Sequence, residues 1–131
     1  MRFMMLMIPK DYATAPADAT PPADLVAEMM KFNQALADAG ALLALDGLHP
    51  VANGARVSFQ GGQALVTDGP FPEVKEVLGG YWMIQVASRE EAIGWARRCP
   101  AQDGDVIEIR QVQEMEEFPP AVREAAGSLK L

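Results

Sequence analysis

One cysteine, Cys99, and one histidine, His49, are all that this 131-residue chain offers of the two most reactive side-chain types. A lone cysteine forms no internal disulfide, so a reducing cytoplasm fits the chain as it stands. One His and one Cys make no ligand set for a transition metal, which speaks against zinc. Basic residues are also scarce, 11 against 18 acidic ones, for a net charge of −7. That balance opposes the cationic footprint that phosphate-backbone binding needs, so nucleic acid is not expected as a direct partner. Long apolar runs are missing too. The amino-terminal stretch Phe3 to Ile8 is too short for a signal-peptide core or a membrane span and is cut off by Pro9-Lys10, which predicts a cytoplasmic protein without a membrane anchor. There is no Gly-x-Gly-x-x-Gly and no Walker pattern, hence no expected nucleotide-phosphate loop and no expected cofactor.

What is present is an ordinary globular composition, 50% hydrophobic and 22% charged, of a size suited to one domain. Phe3 to Ile8 reads as a mid-sheet strand buried on both faces. Asp11 to Pro22, rich in Ala, Pro, Thr and Asp, reads as a loose connection. Leu25, Met29, Phe32 and Leu36 follow at spacings of four, three and four, which predicts a helix over 24–39 with Pro21-Pro22 at its entrance and Gly40 past its end. Ala41 to Leu48 is a strand closed by His49-Pro50. Ala55 to Phe59 and Ala64 to Thr67 are two strands joined by the hairpin signal Gly61-Gly62. Tyr81 to Ala87 is a further strand, Ser88 and Glu91 form a capping box for a helix that stops before Pro100, and a last strand runs from Val106 to about Met115.

With the hairpin set aside, the order is β-α-β-β-α-β, the ferredoxin-like α+β pattern. Helices on one face of such a sheet leave the other apolar face in need of cover, and a second copy of the chain can supply it. The domain is expected over residues 1–116, with 117–131 as a C-terminal extension holding a short helix from Pro120 to about Ala126.

The segment Asp68-Gly69-Pro70-Phe71, continuing through Glu73-Val74-Lys75-Glu76 to Gly79-Gly80-Tyr81, places charge, a rigid turn and aromatics between two apolar strands. Asp68 can act as a general base or contact a ligand; equally, it can accept hydrogen bonds from its own turn. His49 can form a dyad with Asp46 or Asp68, or stand as a surface residue. Lys75 and Glu76 can orient a polar ligand or merely pair on a solvated loop. Phe71, Tyr81 and Trp82 can line a cavity or fill core and dimer interface, and Met4, Met5, Met7, Met29 and Met30 fill core by default. Cys99 is read as structural.

These residues resemble the DGPF group of the YCII-related proteins, named for Asp-Gly-Pro-Phe followed by a Thr-Lys-Glu-like trio and Gly-Gly-Tyr. The likeness extends over the amino-terminal strand, Asp46-Gly47-Leu48, and Arg97 to Pro100. Val74 stands where Thr is common. The resemblance implies a dimeric α+β barrel with a pocket between sheet and helices, and a functional link to extracytoplasmic-function sigma factors. A shorter branch of the family uses a histidine at the start of the first helix; here that position falls at or beside Asp24, so its mechanism is not carried over. Two functions follow as expectations. The first is a homodimeric module that binds an unidentified small molecule through Phe71, Lys75, Glu76 and Tyr81. The alternative is a cofactor-free isomerase, hydrolase or monooxygenase-like enzyme with Asp68 as general base, assisted by His49 or Tyr81.

Overall fold

The computed structural model describes residues 1–127. Among these residues six strands and three α-helices follow in order: β1 (Arg2–Ile8), α1 (Ala23–Asp38), β2 (Leu42–Gly47), β3 (Ala55–Gln60), β4 (Gln63–Asp68), β5 (Gly80–Gln85), α2 (Arg89–Arg97), β6 (Val106–Gln111) and α3 (Pro120–Ala126). β2, β5, β1 and β6 lie side by side in that order as one antiparallel sheet, and β3 and β4 form a separate hairpin. Without that hairpin the topology is the ferredoxin-like α+β arrangement.

Local chemistry accounts for most boundaries. The predicted stripe of α1 turns Phe32 and Leu36 fully inward, with Met29 packed beside them. Its carboxyl end stops at Gly40, whose φ of +71° lies in the left-handed region where a side chain is strained. Ser88 caps α2 by accepting from the Glu91 amide at 3.1 Å, while the Glu91 carboxylate reaches back to the Ala87 amide at 2.6 Å, one residue earlier than in the standard capping box. Gly61 and Gly62 both take positive φ, +58° and +78°, which gives the hairpin a tight two-residue turn. The last strand ends at Gln111, short of Met115: the chain leaves the sheet there and makes a 3₁₀ turn over Met115–Glu117, closed by reciprocal side-chain bonds between Glu114 and Glu117.

The core lies between the sheet and the two helices. Phe3, Met5 and Met7 of β1, Trp82 and Ile84 of β5, Phe32 and Leu36 of α1 and Ala92 of α2 form it. Burying a side chain such as Phe3, Met5, Leu36 or Ile84 contributes about 1.5–3 kcal/mol each. Phe32 sets its ring at 90° to that of Trp82, with centroids 5.7 Å apart. Trp82 Nε1 donates at 2.7 Å to Asn33 Oδ1, which satisfies the one buried polar side chain of the core. Cys99 packs against this cluster and points its thiol at Met29 Sδ, 3.9 Å away.

β1 is mid-sheet, as expected, but only one of its faces is sealed. Phe3, Met5 and Met7 are buried, while Met4, Leu6 and Ile8 on the opposite face are half-buried. Both helices that pack on the sheet lie on the same side, so the run of six apolar residues fills one face and lines an open one. Arg2 and Glu114 tie the start of β1 to the segment after β6 with paired bonds of 2.6 and 2.9 Å.

Candidate functional site

Three short segments converge beside the sheet. The first is the turn after β2, from Leu48 to Gly54, whose 3₁₀ turn spans Val51–Asn53. The second is the base of the hairpin, where Ala55 of β3 pairs with Asp68 of β4. The third is the return segment from Phe71 to Gly79. Backbone hydrogen bonds lock them: Leu48 N donates to Gly79 O at 2.9 Å, and Gly69 N to Gly54 O at 2.8 Å.

Gly69 explains much of the Asp-Gly-Pro-Phe signature on packing grounds. A Cβ at this position would land on the Val51 carbonyl, far inside contact distance, and crowd the Gly54 carbonyl as well. Only glycine lets the two turns close on each other. The Gly69–Pro70 peptide is cis. Phe71 follows at once and turns towards the first segment.

The result is a cavity of about 460 Å³ lined by Leu48, His49, Pro50, Val51, Asn53, Gly54, Ala55, Arg56, Phe71, Glu76, Val77 and Leu78. Pro50 and Val77 are buried and give it an apolar floor. Few of its lining residues carry polar side chains: His49, Asn53, Arg56 and Glu76, of which Arg56 also borders a neighbouring cavity with Phe71. A concave, mostly apolar site with a few converging polar groups is the usual form of a small-molecule pocket.

The sequence-predicted residues divide between this cavity and its surroundings. His49, Phe71 and Glu76 meet in it. Asp68 and Lys75 are exposed and are not part of the lining of this cavity. The Asp68 carboxylate makes no hydrogen bond within its own turn or to His49 among the described residues; His49 Nδ1 instead faces Asn53 Nδ2 at 3.4 Å. Tyr81 lies elsewhere. As the cross-strand partner of Asp46 it donates its hydroxyl to Asp46 Oδ2 at 2.8 Å, and that bond holds its pKa above the ordinary phenol value. Together with Met7, Met29, Asn33 and Trp82 the pair lines a second, smaller cavity of about 170 Å³ at the strand ends.

Asn53 and Asn33 make hydrogen bonds, and Arg56 a cation–π contact with Phe71, that the sequence alone does not signal in the same way. Asn33 had a visible signal: it stands four residues after Met29 on the buried stripe of α1, where a polar side chain needs a partner. Arg56 had none, because one arginine in an alternating strand looks like any solvated residue. No group of three or more His, Cys, Asp or Glu side chains suited to a metal ion occurs among the described residues. No helix among them is long and apolar enough to cross a membrane.

A family model for the YCII-related domain matches residues 1–116, and the chain belongs to that family. An uncharacterised protein of Rhizobium meliloti (strain 1021) is 40% identical to it over 60 residues, which are 46% of this chain and 48% of the relative. The chain thus spans about half the length of the curated relative it matches.

Proposed function

We propose that this YCII-related protein is a small-molecule-binding module acting as a homodimer, with its ligand held in the cavity edged by His49, Phe71 and Glu76. The observation that carries the reading is the convergence of those three residues on one apolar-floored hollow of about 460 Å³, held by the Gly69 contact. The enzyme alternative asks for a base and an acid on one cavity. Asp68 stands off from the cavity that contains His49, so binding without turnover is the better-supported reading.

Two uncovered apolar surfaces support the pairing of subunits. One is the open sheet face bearing Met4, Leu6, Ile8 and Met83. The other is one face of the hairpin, where Val57 and Val66 pair directly and Phe59 pairs with Ala64; Val57, Phe59 and Val66 are 53%, 80% and 69% exposed. The link to sigma-factor-dependent regulation is part of the proposal as well, and it rests on the likeness to the DGPF group.

A thermal-shift screen with small aromatic acids and lactones tests the site. A bound ligand at a hundredfold excess over its Kd adds about 2.7 kcal/mol to the folded state, and the shift is expected to vanish in a His49→Ala, Phe71→Ala double variant. A ligand that stabilises both proteins equally binds elsewhere. Turnover of a lactone that is lost in Asp68→Asn would establish the enzyme reading instead. Sedimentation showing a monomer at micromolar concentration would remove the pairing.

A further inference from the structure

We infer that Arg56 makes this cavity selective for monocarboxylic acids, and in particular for those with an apolar body that also bears a hydroxyl or amino group. The inference rests on the cavity being a binding site and names the chemistry of its ligand.

Arg56 lines the cavity from the base of the hairpin, with its guanidinium carbon 4.8 Å from the centroid of the Phe71 ring. A guanidinium held over an aromatic ring by cation–π attraction still has N–H donors for other partners. Among the described residues none of those donors is used: Arg56 makes no ion pair and no side-chain hydrogen bond, although acidic residues outnumber basic ones along the chain. A positioned, unspent fork of this kind fits a carboxylate through two parallel bonds.

The neighbouring groups narrow the class. Asn53 Nδ2 donates at 2.9 Å to the Ala17 carbonyl, which can only accept, so the amide orientation is fixed and its nitrogen faces His49 Nδ1. In the neutral imidazole Nδ1 is then the acceptor and Nε2–H the remaining donor. Leu48, Val51, Val77 and Leu78 provide surface for an apolar body. Glu76, the one carboxylate in the lining, disfavours a second negative group and suits a ligand hydroxyl or amine. Di- and tricarboxylates and phosphate esters are therefore poor fits.

Titration of the protein with matched pairs, each a monocarboxylic acid and its primary amide, beginning with 4-hydroxybenzoate and 4-hydroxybenzamide, tests this by isothermal calorimetry and by backbone amide shifts. The wild-type protein is expected to bind the acids about tenfold to hundredfold more tightly than the amides, a preference that shrinks with added salt. Arg56→Gln is expected to erase the preference, weakening the acids about tenfold or more and the amides far less, and Arg56→Lys to keep a small part of it, because charge survives and the bidentate fork does not. Denaturation curves confirm that both variants fold. Equal affinity for acid and amide in the wild type overturns the carboxylate inference and leaves the cavity as a binding site. An acid preference that persists in Arg56→Gln overturns the role of Arg56. If no pair shifts the amides of Leu48, His49 and Val51 to Gly54, the inference and the binding reading fall together.

Discussion

The four-stranded sheet and the β3–β4 hairpin are both antiparallel β-structure drawn from one residue alphabet, yet they meet water in opposite ways. In the sheet, Phe3, Met5, Trp82 and Ile84 are sealed beneath two helices. In the hairpin every residue of both strands is exposed, and Phe59 is nearly naked. A two-stranded ribbon is marginal in water by itself. Its regularity here comes from the glycine turn at the tip and from the Gly69 contact that clamps its base. The sheet is held by burial, the hairpin by its two ends, and its spare apolar face is left free to meet something else.

The strongest way to break this contrast is to remove the same kind of side chain from each region. Ile84→Ala, in the sealed core, is expected to cost about 2–5 kcal/mol in urea denaturation. Phe59→Ser, in the hairpin, is expected to change the stability of a single subunit by no more than about 0.5 kcal/mol. It should weaken self-association by at least about tenfold in sedimentation, the loss of roughly 1.4 kcal/mol across the contact. A core-sized loss of stability in Phe59→Ser would show that the hairpin is held by burial after all.

The clamp at the base comes next. Gly69→Ala forces a methyl group against the Val51 carbonyl, and overpacking of this kind costs about 1–3 kcal/mol. Amide exchange should speed up over Val51–Arg56 and Thr67–Val74 while β1 and β5 keep their protection. Asn33→Ala, on the sealed side, strands the buried Trp82 N–H and is expected to cost about 1–3 kcal/mol without altering exchange in the hairpin.

Titratable groups give smaller effects. Burial, helped by the charge of Asp105, pushes the Cys99 thiol up to about 11 from an ordinary value of 9.0. A raised folded-state pKa means that this contribution is complete below about pH 9 and is lost as pH climbs towards 11. Iodoacetamide at pH 8 is expected to label Cys99 in urea and to leave the native protein unlabelled. Glu114 behaves with the opposite sign. Its bonds to Arg2 hold its carboxyl below the usual range, so the pair stabilises above the ordinary carboxylate pKa and fades as pH falls through the lowered one. The pair is partly exposed, 41% for the Arg2 side chain and 35% for that of Glu114, which makes this the smallest effect; the difference in thermal midpoint between wild type and Glu114→Gln should close as the solution is acidified.

Elements governed by neighbours in the chain were legible without coordinates. The spacing of Leu25, Met29, Phe32 and Leu36 placed α1, Ser88 placed the start of α2, and Gly61-Gly62 placed the hairpin tip, because each depends on contacts within about four residues. β6 ends sooner than the sequence predicts, for the complementary reason. Val112 to Met115 has the composition of a strand, but the mutual hydrogen bonds of Glu114 and Glu117 turn the chain away. The both-faces burial expected of β1 was also not local: an apolar run looks the same whether its second face meets a helix or remains open.

By itself the sequence determined the α+β order, the turn at Asp68-Gly69-Pro70-Phe71 and membership of the YCII-related family. Tertiary structure alone decided that His49 and Glu76, far apart in the chain, share one cavity, that Asp68 and Lys75 stand outside its lining, and that Arg56 sits over the Phe71 ring. The reason is geometric. Backbone preferences act over a few residues, whereas a cavity forms where separate segments are brought together by strand register and by a contact as small as the missing methyl of Gly69.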